Sequence, residues 1–205
     1  MLSVPLLKGL LWVALSAPLA WLGWQINIEL QAPTTALGAD PGEAVVHFLG
    51  EWAIRVLLLA LSVTPLRQVS GFRALAQTRR LVGLFAFAYA LLHFLAYTFF
   101  YLEFSLAGLW DDVLKRPYIT VGMAATLCLL PLAITSTRGW QRRLRRNWQR
   151  LHRLVFPAAI FAVLHFFWLT RDQFGEVILY AVWVALLLGW RFWYRPAASR
   201  QGSPA

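Results

Sequence analysis

Four histidines are the residues of this chain best suited to chemistry, and all four stand inside or at the start of long apolar runs. His93 is near the middle of Tyr89-Ala90-Leu91-Leu92-His93-Phe94-Leu95, while His152 opens a later run and His165 follows it thirteen residues on. That interval is roughly 20 Å at the helical rise. His93 is twelve residues beyond Leu81, where its own run begins. If both runs cross a membrane in the same direction, His93 and His165 lie at similar depth and can face each other across a bundle. Ionisable residues at such depth are costly and mark function. Two neutral imidazoles from facing helices, with no acid beside them, suit bis-histidine ligation of a haem better than zinc, which needs further ligands. Phe85, Phe87, Tyr89, Phe94, Phe161, Ala162 and Phe166 would wall a flat porphyrin.

His152 is less easily assigned. Thirteen residues rotate by about 220° on an ideal helix, which puts His152 and His165 on different faces. Pro157 lies between them and removes the bond its amide would have made to Arg153, so local unwinding is expected. The spacing leaves open whether they serve one cofactor or two. His47, Glu51 and Arg55 form a second constellation, one stripe at i, i+4 and i+8. Glu51 four residues before Arg55 favours an ion pair. The stripe would hold a haem propionate or a quinone, line a transport pathway, or simply face the bundle. Cys128 is the single cysteine and has no partner, which rules out a disulfide or a cysteine-ligated metal within one chain.

The elements that must position these residues are helices in a membrane. Of 205 residues, 60% are hydrophobic and 14% charged, with mean hydropathy +0.59. A soluble domain carries about a quarter charged residues. Long apolar stretches without strand-like alternation exclude an outer-membrane barrel. Six spans are expected: Leu6 to Trp24, Ala44 to Leu66, Leu81 to Phe104, Tyr118 to Thr135, His152 to Thr170 and Glu176 to Tyr194. The first reads as a retained helix rather than a signal peptide, since no small-residue cleavage site follows it.

Charge distribution predicts the orientation. Arg67, Arg73, Arg79, Arg80, the Arg138–Arg153 cluster, Arg191, Arg195 and Arg200 fall on one side, and Lys115, Arg116 and Arg171 on the other. The positive-inside rule gives cytoplasmic N- and C-termini, with eight of nine acids outside and Glu51 within a span. The net charge of +10 therefore reflects topology and contact with anionic lipid rather than nucleic-acid binding. From Arg138 to Arg150, Trp140, Leu144, Trp148 and Leu151 recur at helical spacing, which predicts an interfacial amphipathic helix. That helix would lie on lipid or dock an acidic partner. Asp111, Asp112, Lys115 and Arg116 are candidates for docking on the outer face. Residues 1–196 form one transmembrane domain, and 197–205 are expected to be a short disordered cytoplasmic tail.

Several segments resemble one family. They are Leu37-Gly38-Ala39-Asp40-Pro41 leading to His47-Phe48, Thr64-Pro65-Leu66, Thr78-Arg79-Arg80-Leu81, Arg116-Pro117-Tyr118, Thr135-Ser136-Thr137, and Trp148-Gln149-Arg150-Leu151-His152-Arg153 through His165. The pattern resembles the MsrQ (YedZ) subunits of the ferric-reductase-like transmembrane superfamily. The resemblance implies that His93, His152 and His165 occupy haem-ligand positions, holding one haem b or two. NADPH oxidases of the wider superfamily have two histidines on each of the third and fifth spans. Here Arg79 and Arg80 stand at the depth of the missing one, which leaves His152 without an identified partner.

The resemblance further implies an electron relay in the bacterial inner membrane. It would be fed by quinol or a cytoplasmic flavin reductase and coupled to the periplasmic molybdopterin subunit MsrP, which reduces methionine sulfoxide. Flavin mononucleotide (FMN) is associated with the family, and no residues here are assignable to it. The chain would be a non-catalytic electron-transfer subunit of an oxidoreductase. A small transporter or proton channel using His47, Glu51 and Arg55 is the alternative, weakened by the lack of an inverted repeat. A passive assembly anchor would leave the span histidines unexplained.

Overall fold

The computed structural model describes residues 3–169 and 174–193, and every regular element among them is helical. Five helical segments are long and apolar enough to cross a membrane: Val4–Gln31 (α1), Pro41–Ser70 (α2), Arg79–Leu102 (α3), Pro117–Ile134 (α5) and Arg146–Leu169. The fifth comprises a short helix Arg146–Leu151 (α7), a 3-10 turn His152–Leu154 and a longer helix Val155–Leu169 (α8). Leu106–Lys115 (α4) and Arg138–Leu144 (α6) are short, and Phe174–Trp193 (α9) closes the bundle where a sixth span is expected. The chain is thus a multi-pass membrane protein. The expected tail 197–205, and loop residues Arg171 and Asp172, lie outside the described residues.

Local chemistry sets the boundaries. Asp40 caps α2, its carboxylate accepting from the Glu43 amide at 2.9 Å, with Pro41 at the first turn, where a missing N–H costs nothing. Gly71 ends the same helix in the left-handed conformation, φ 68°, its amide bonded to the Arg67 carbonyl. The first helix is longer than expected and runs to Gln31, carrying Glu29 out of the predicted loop. Glu29 then gathers the loop, accepting from the amides of Thr34, Ala36 and Leu37. The helix α4, capped by Ser105 onto the Gly108 amide, was not expected from the sequence. Ten residues are too few to register as a span.

The predicted continuous amphipathic helix at 138–150 is broken. Arg145 has φ 47°, a strained value for a side-chain-bearing residue, and separates α6 from α7. The break turns α7 back so that Trp148 Nε1 donates to the Thr135 carbonyl at the end of α5, 2.9 Å away. Unwinding near Pro157 is found as the 3-10 turn at His152–Leu154.

Two antiparallel pairs, α2 with α3 and α5 with α8, pack most intimately. The core lies along α2, where Leu57, Leu58 and Leu61 are buried, and extends to Val82, Ala86 and Tyr89 of α3. The α1 helix is secured by one buried bond, Tyr89 hydroxyl to the Leu15 carbonyl at 2.8 Å. The α9 helix is tied to α2 by Trp183 Nε1 to Ser62 Oγ and Trp190 Nε1 to Gln68 Oε1. Lipid supplies little hydrophobic drive between helices, so such interhelical bonds matter for register. Replacing Tyr89 with Phe should lower stability by roughly 0.6–1.5 kcal/mol. Thermal unfolding of the detergent-purified protein, followed by circular dichroism, checks this; an unchanged midpoint refutes it.

Candidate functional site

The structure brings His93 of α3 and His165 of α8 together. Their ring centroids are 6.1 Å apart, with the planes at 78°. Each ring is fixed in the same way. His93 Nδ1 donates to the Val46 carbonyl at 2.8 Å, and His165 Nδ1 donates to the Tyr118 carbonyl at 2.7 Å. A carbonyl accepts only, so both rings carry their hydrogen on Nδ1 and present Nε2 as the unprotonated, ligating nitrogen.

Glycine makes the close approach possible. A Cβ on Gly50 would lie 2.9 Å from His93 Cε1, and one on Gly122 would lie 2.7 Å from His165 Nδ1. In both halves the histidine stands 47 positions after its carbonyl acceptor, and the glycine is one helical turn beyond that acceptor. The pairs α2–α3 and α5–α8 are therefore local repeats, each contributing one oriented imidazole. Sequence reading missed Gly50 and Gly122; the repeated spacing was the available signal.

Both rings line a cavity of about 630 Å³, within the range of cofactor sites. Ala162, Phe94 and Phe166 line it as expected. Phe85, Phe87 and Tyr89 do not. They precede the cavity stripe of α3 and pack into the core, where Phe85 meets Trp12 edge-on. Two metal–imidazole bonds of about 2 Å each, plus the half-widths of two rings, give a centroid separation of about 6 Å. The observed pair matches that span. No cluster of three or more His, Cys, Asp or Glu that could hold a bare metal ion exists among the described residues. The donor set thus fits an iron whose remaining ligands come from a macrocycle.

The family model for the ferric reductase like transmembrane component matches residues 49–163. The chain belongs to this family. It is 50% identical over 202 residues to the "Protein-methionine-sulfoxide reductase heme-binding subunit MsrQ" of Xanthomonas oryzae pv. oryzae, strain MAFF 311018, covering 97% of this chain and 91% of that one. It is 44% identical over 201 residues to the MsrQ of Caulobacter vibrioides, covering 97% and 92%. No solved structure matches it.

The remaining candidates are placed apart. His152 is at the opposite end of α8, its Nδ1 donating to the Trp148 carbonyl at 3.1 Å and its ring stacked on Trp148 at 3.9 Å. Roughly 20 Å of helix separates it from His165, so the two cannot share one iron. His47 lines the cavity rim, half exposed, 3.9 Å from Glu43. Arg55 does not line the cavity. Its Nε donates to the Tyr180 hydroxyl and its Nη2 to Glu51, each at 2.9 Å, with Glu176 at 3.8 Å, so it links α2 to α9. A haem propionate on Arg55 is therefore not supported by its position.

Around α4 the two acids part company. Asp111 pairs with Lys115 at the surface. Asp112 is buried, accepting from the Tyr97 hydroxyl and ion-paired with Arg116 Nε at 3.1 Å. It is an internal brace and not a docking group.

Substituting alanine at Gly50 or Gly122 should displace the imidazole above it and cut haem retention severalfold in each case, without loss of helical content. Haem per chain, from the pyridine haemochrome spectrum of purified variants, measures this. Full retention in both variants would refute the positioning role.

Proposed function

We propose that the chain is a haem b electron-transfer subunit with six spans and cytoplasmic termini in a bacterial inner membrane. It takes electrons from quinol or a cytoplasmic flavin reductase. It delivers them to a periplasmic molybdopterin subunit, MsrP, for reduction of methionine sulfoxide in oxidised proteins. The observation that carries this reading is the His93–His165 pair, held at ligating separation in a largely apolar cavity. The names of the MsrQ relatives, which describe a heme-binding subunit of a protein-methionine-sulfoxide reductase, agree with it.

When bound, haem supplies a one-electron carrier. The chain's own residues do the rest. His93 and His165 hold the iron, the Val46 and Tyr118 carbonyls raise the basicity of their imidazoles, and the cavity walls limit water and set the potential through burial. Helix α9 supplies the sixth span, 20 residues long and joined to α2 by its tryptophans.

The orientation rests on charge. Arg142, Arg143, Arg145, Arg146 and Arg150 flank the end of the bundle carrying His152, whereas Glu43, Asp111 and Asp112 lie at the end where the cavity rim is found. With the basic end cytoplasmic, the His93–His165 cavity faces the periplasmic half, where electrons must leave. His152 then stands on the donor side and would serve a second haem if one is bound. Substrate chemistry belongs to the partner, and FMN has no assigned residues.

A reduced-minus-oxidised visible spectrum of the purified chain should show low-spin b-type haem. His93→Ala and His165→Ala should each lose this signal, whereas His152→Ala should keep at least one haem per chain. Low-spin haem persisting in both of the first two variants would refute the assignment. A well-folded wild-type protein that takes up no haem would sink the relay as a whole.

A further inference from the structure

Tyr97, Asp112 and Arg116 meet at the cavity rim, Asp112 and Arg116 as an i,i+4 pair at the end of α4 and Tyr97 from another helix. Tyr97 is on α3, one turn beyond His93, Asp112 is on α4, and Arg116 precedes α5. The Asp112 carboxylate accepts from the Tyr97 hydroxyl on one side and forms an ion pair with Arg116 Nε, at 3.1 Å, on the other. Its side chain is only 12% exposed, against 52% for Arg116. The carboxylate therefore pairs with the inner nitrogen of a guanidinium that stays half exposed, with the Tyr118 side chain as its other polar neighbour. Such a fork is suited to a second carboxylate.

Among the described residues, Arg116 is also the one arginine or lysine lining the cavity. The acids on the lining are engaged elsewhere, Glu51 with Arg55 at 2.9 Å and Glu43 near His47 at 3.9 Å. The His165 imidazole is bonded to the carbonyl of Tyr118, two residues on from Arg116 and so within one turn of about 5.4 Å. The cation thus sits near the backbone that orients His165, at the polar edge of a largely apolar chamber.

We propose that Arg116, oriented by the Tyr97–Asp112 brace, anchors a carboxylate side arm of the bound haem and so fixes the rotation of the macrocycle about the His93–His165 axis. This rests on the haem reading above. Arg116 and its brace are positioning residues, since iron ligation remains with the imidazoles. The helix α4 then has a structural purpose: it delivers Asp112 to the rim.

The test titrates the full chain, produced haem-depleted and held in detergent, with haem and separately with haem dimethyl ester, in which both carboxylates are masked. The wild type should bind haem about tenfold to a hundredfold more tightly than the ester, as expected for a charge-assisted hydrogen bond. Arg116→Gln should abolish most of that preference, chiefly by weakening haem, while Arg116→Lys should keep part of it. A wild type without preference, or an Arg116→Gln protein with the wild-type preference, overturns the proposal. If Arg116→Gln does not fold, Asp112→Asn decides: it leaves the guanidinium but loosens it, and an unchanged preference overturns the proposal. A wild type that binds neither compound instead overturns the haem reading itself.

Discussion

The bond from each buried imidazole to a main-chain carbonyl is the constraint around which the bundle is arranged. A histidine that gives its Nδ1 hydrogen to a carbonyl one helix away has no freedom of tautomer and little of rotation. For that bond to form, the two helices must approach until the ring touches backbone, which only glycine permits at Gly50 and Gly122. Ring orientation and helix spacing are thus set by the same contact, once in α2–α3 and again in α5–α8. The repeat explains how a chain with few polar residues in its spans can aim two of them at a common point.

Around this centre the charges are segregated and put to different uses. Glu51 and Arg55 satisfy each other and hold α9 through Tyr180, so the polar stripe on α2 acts as a joint between helices. Asp112 and Arg116 brace α4 against the rim. Glu29 closes the loop between α1 and α2 by collecting three backbone amides, in effect replacing water where the chain turns. Glu51, Asp112 and Glu29 each have an identifiable structural partner, which is what keeping charge next to an apolar bundle requires. The arginines at the other end lack acidic neighbours in α6 and α7 and suit contact with anionic lipid.

The family likeness and the geometry support one another from independent directions. The matched region, residues 49–163, contains Gly50, His93, Gly122 and His152 and stops just short of His165. His165 is nevertheless joined to His93 by contact in space, on a helix that α5 holds in place. The chain's similarity to MsrQ proteins covers nearly its whole length and includes this helix.

The sequence by itself determined the membrane class, the approximate spans and the two histidines at matched depth. Hydropathy and charge are local properties that a membrane reads directly, and helical rise converts spacing into depth. It also foretold the unwinding near Pro157, because a missing amide acts within its own turn. Tertiary structure alone decided which faces meet. It sent Phe85, Phe87 and Tyr89 into the core, turned Arg55 away from the cavity, brought Asp112 and Arg116 to its rim, and left His152 at the far end. It likewise broke the basic helix at Arg145, where anchoring Trp148 to Thr135 outweighed helical continuity. These outcomes depend on contacts between residues distant in the chain. In spans that are apolar all round, periodicity cannot tell a lipid-facing side from a partner-facing one.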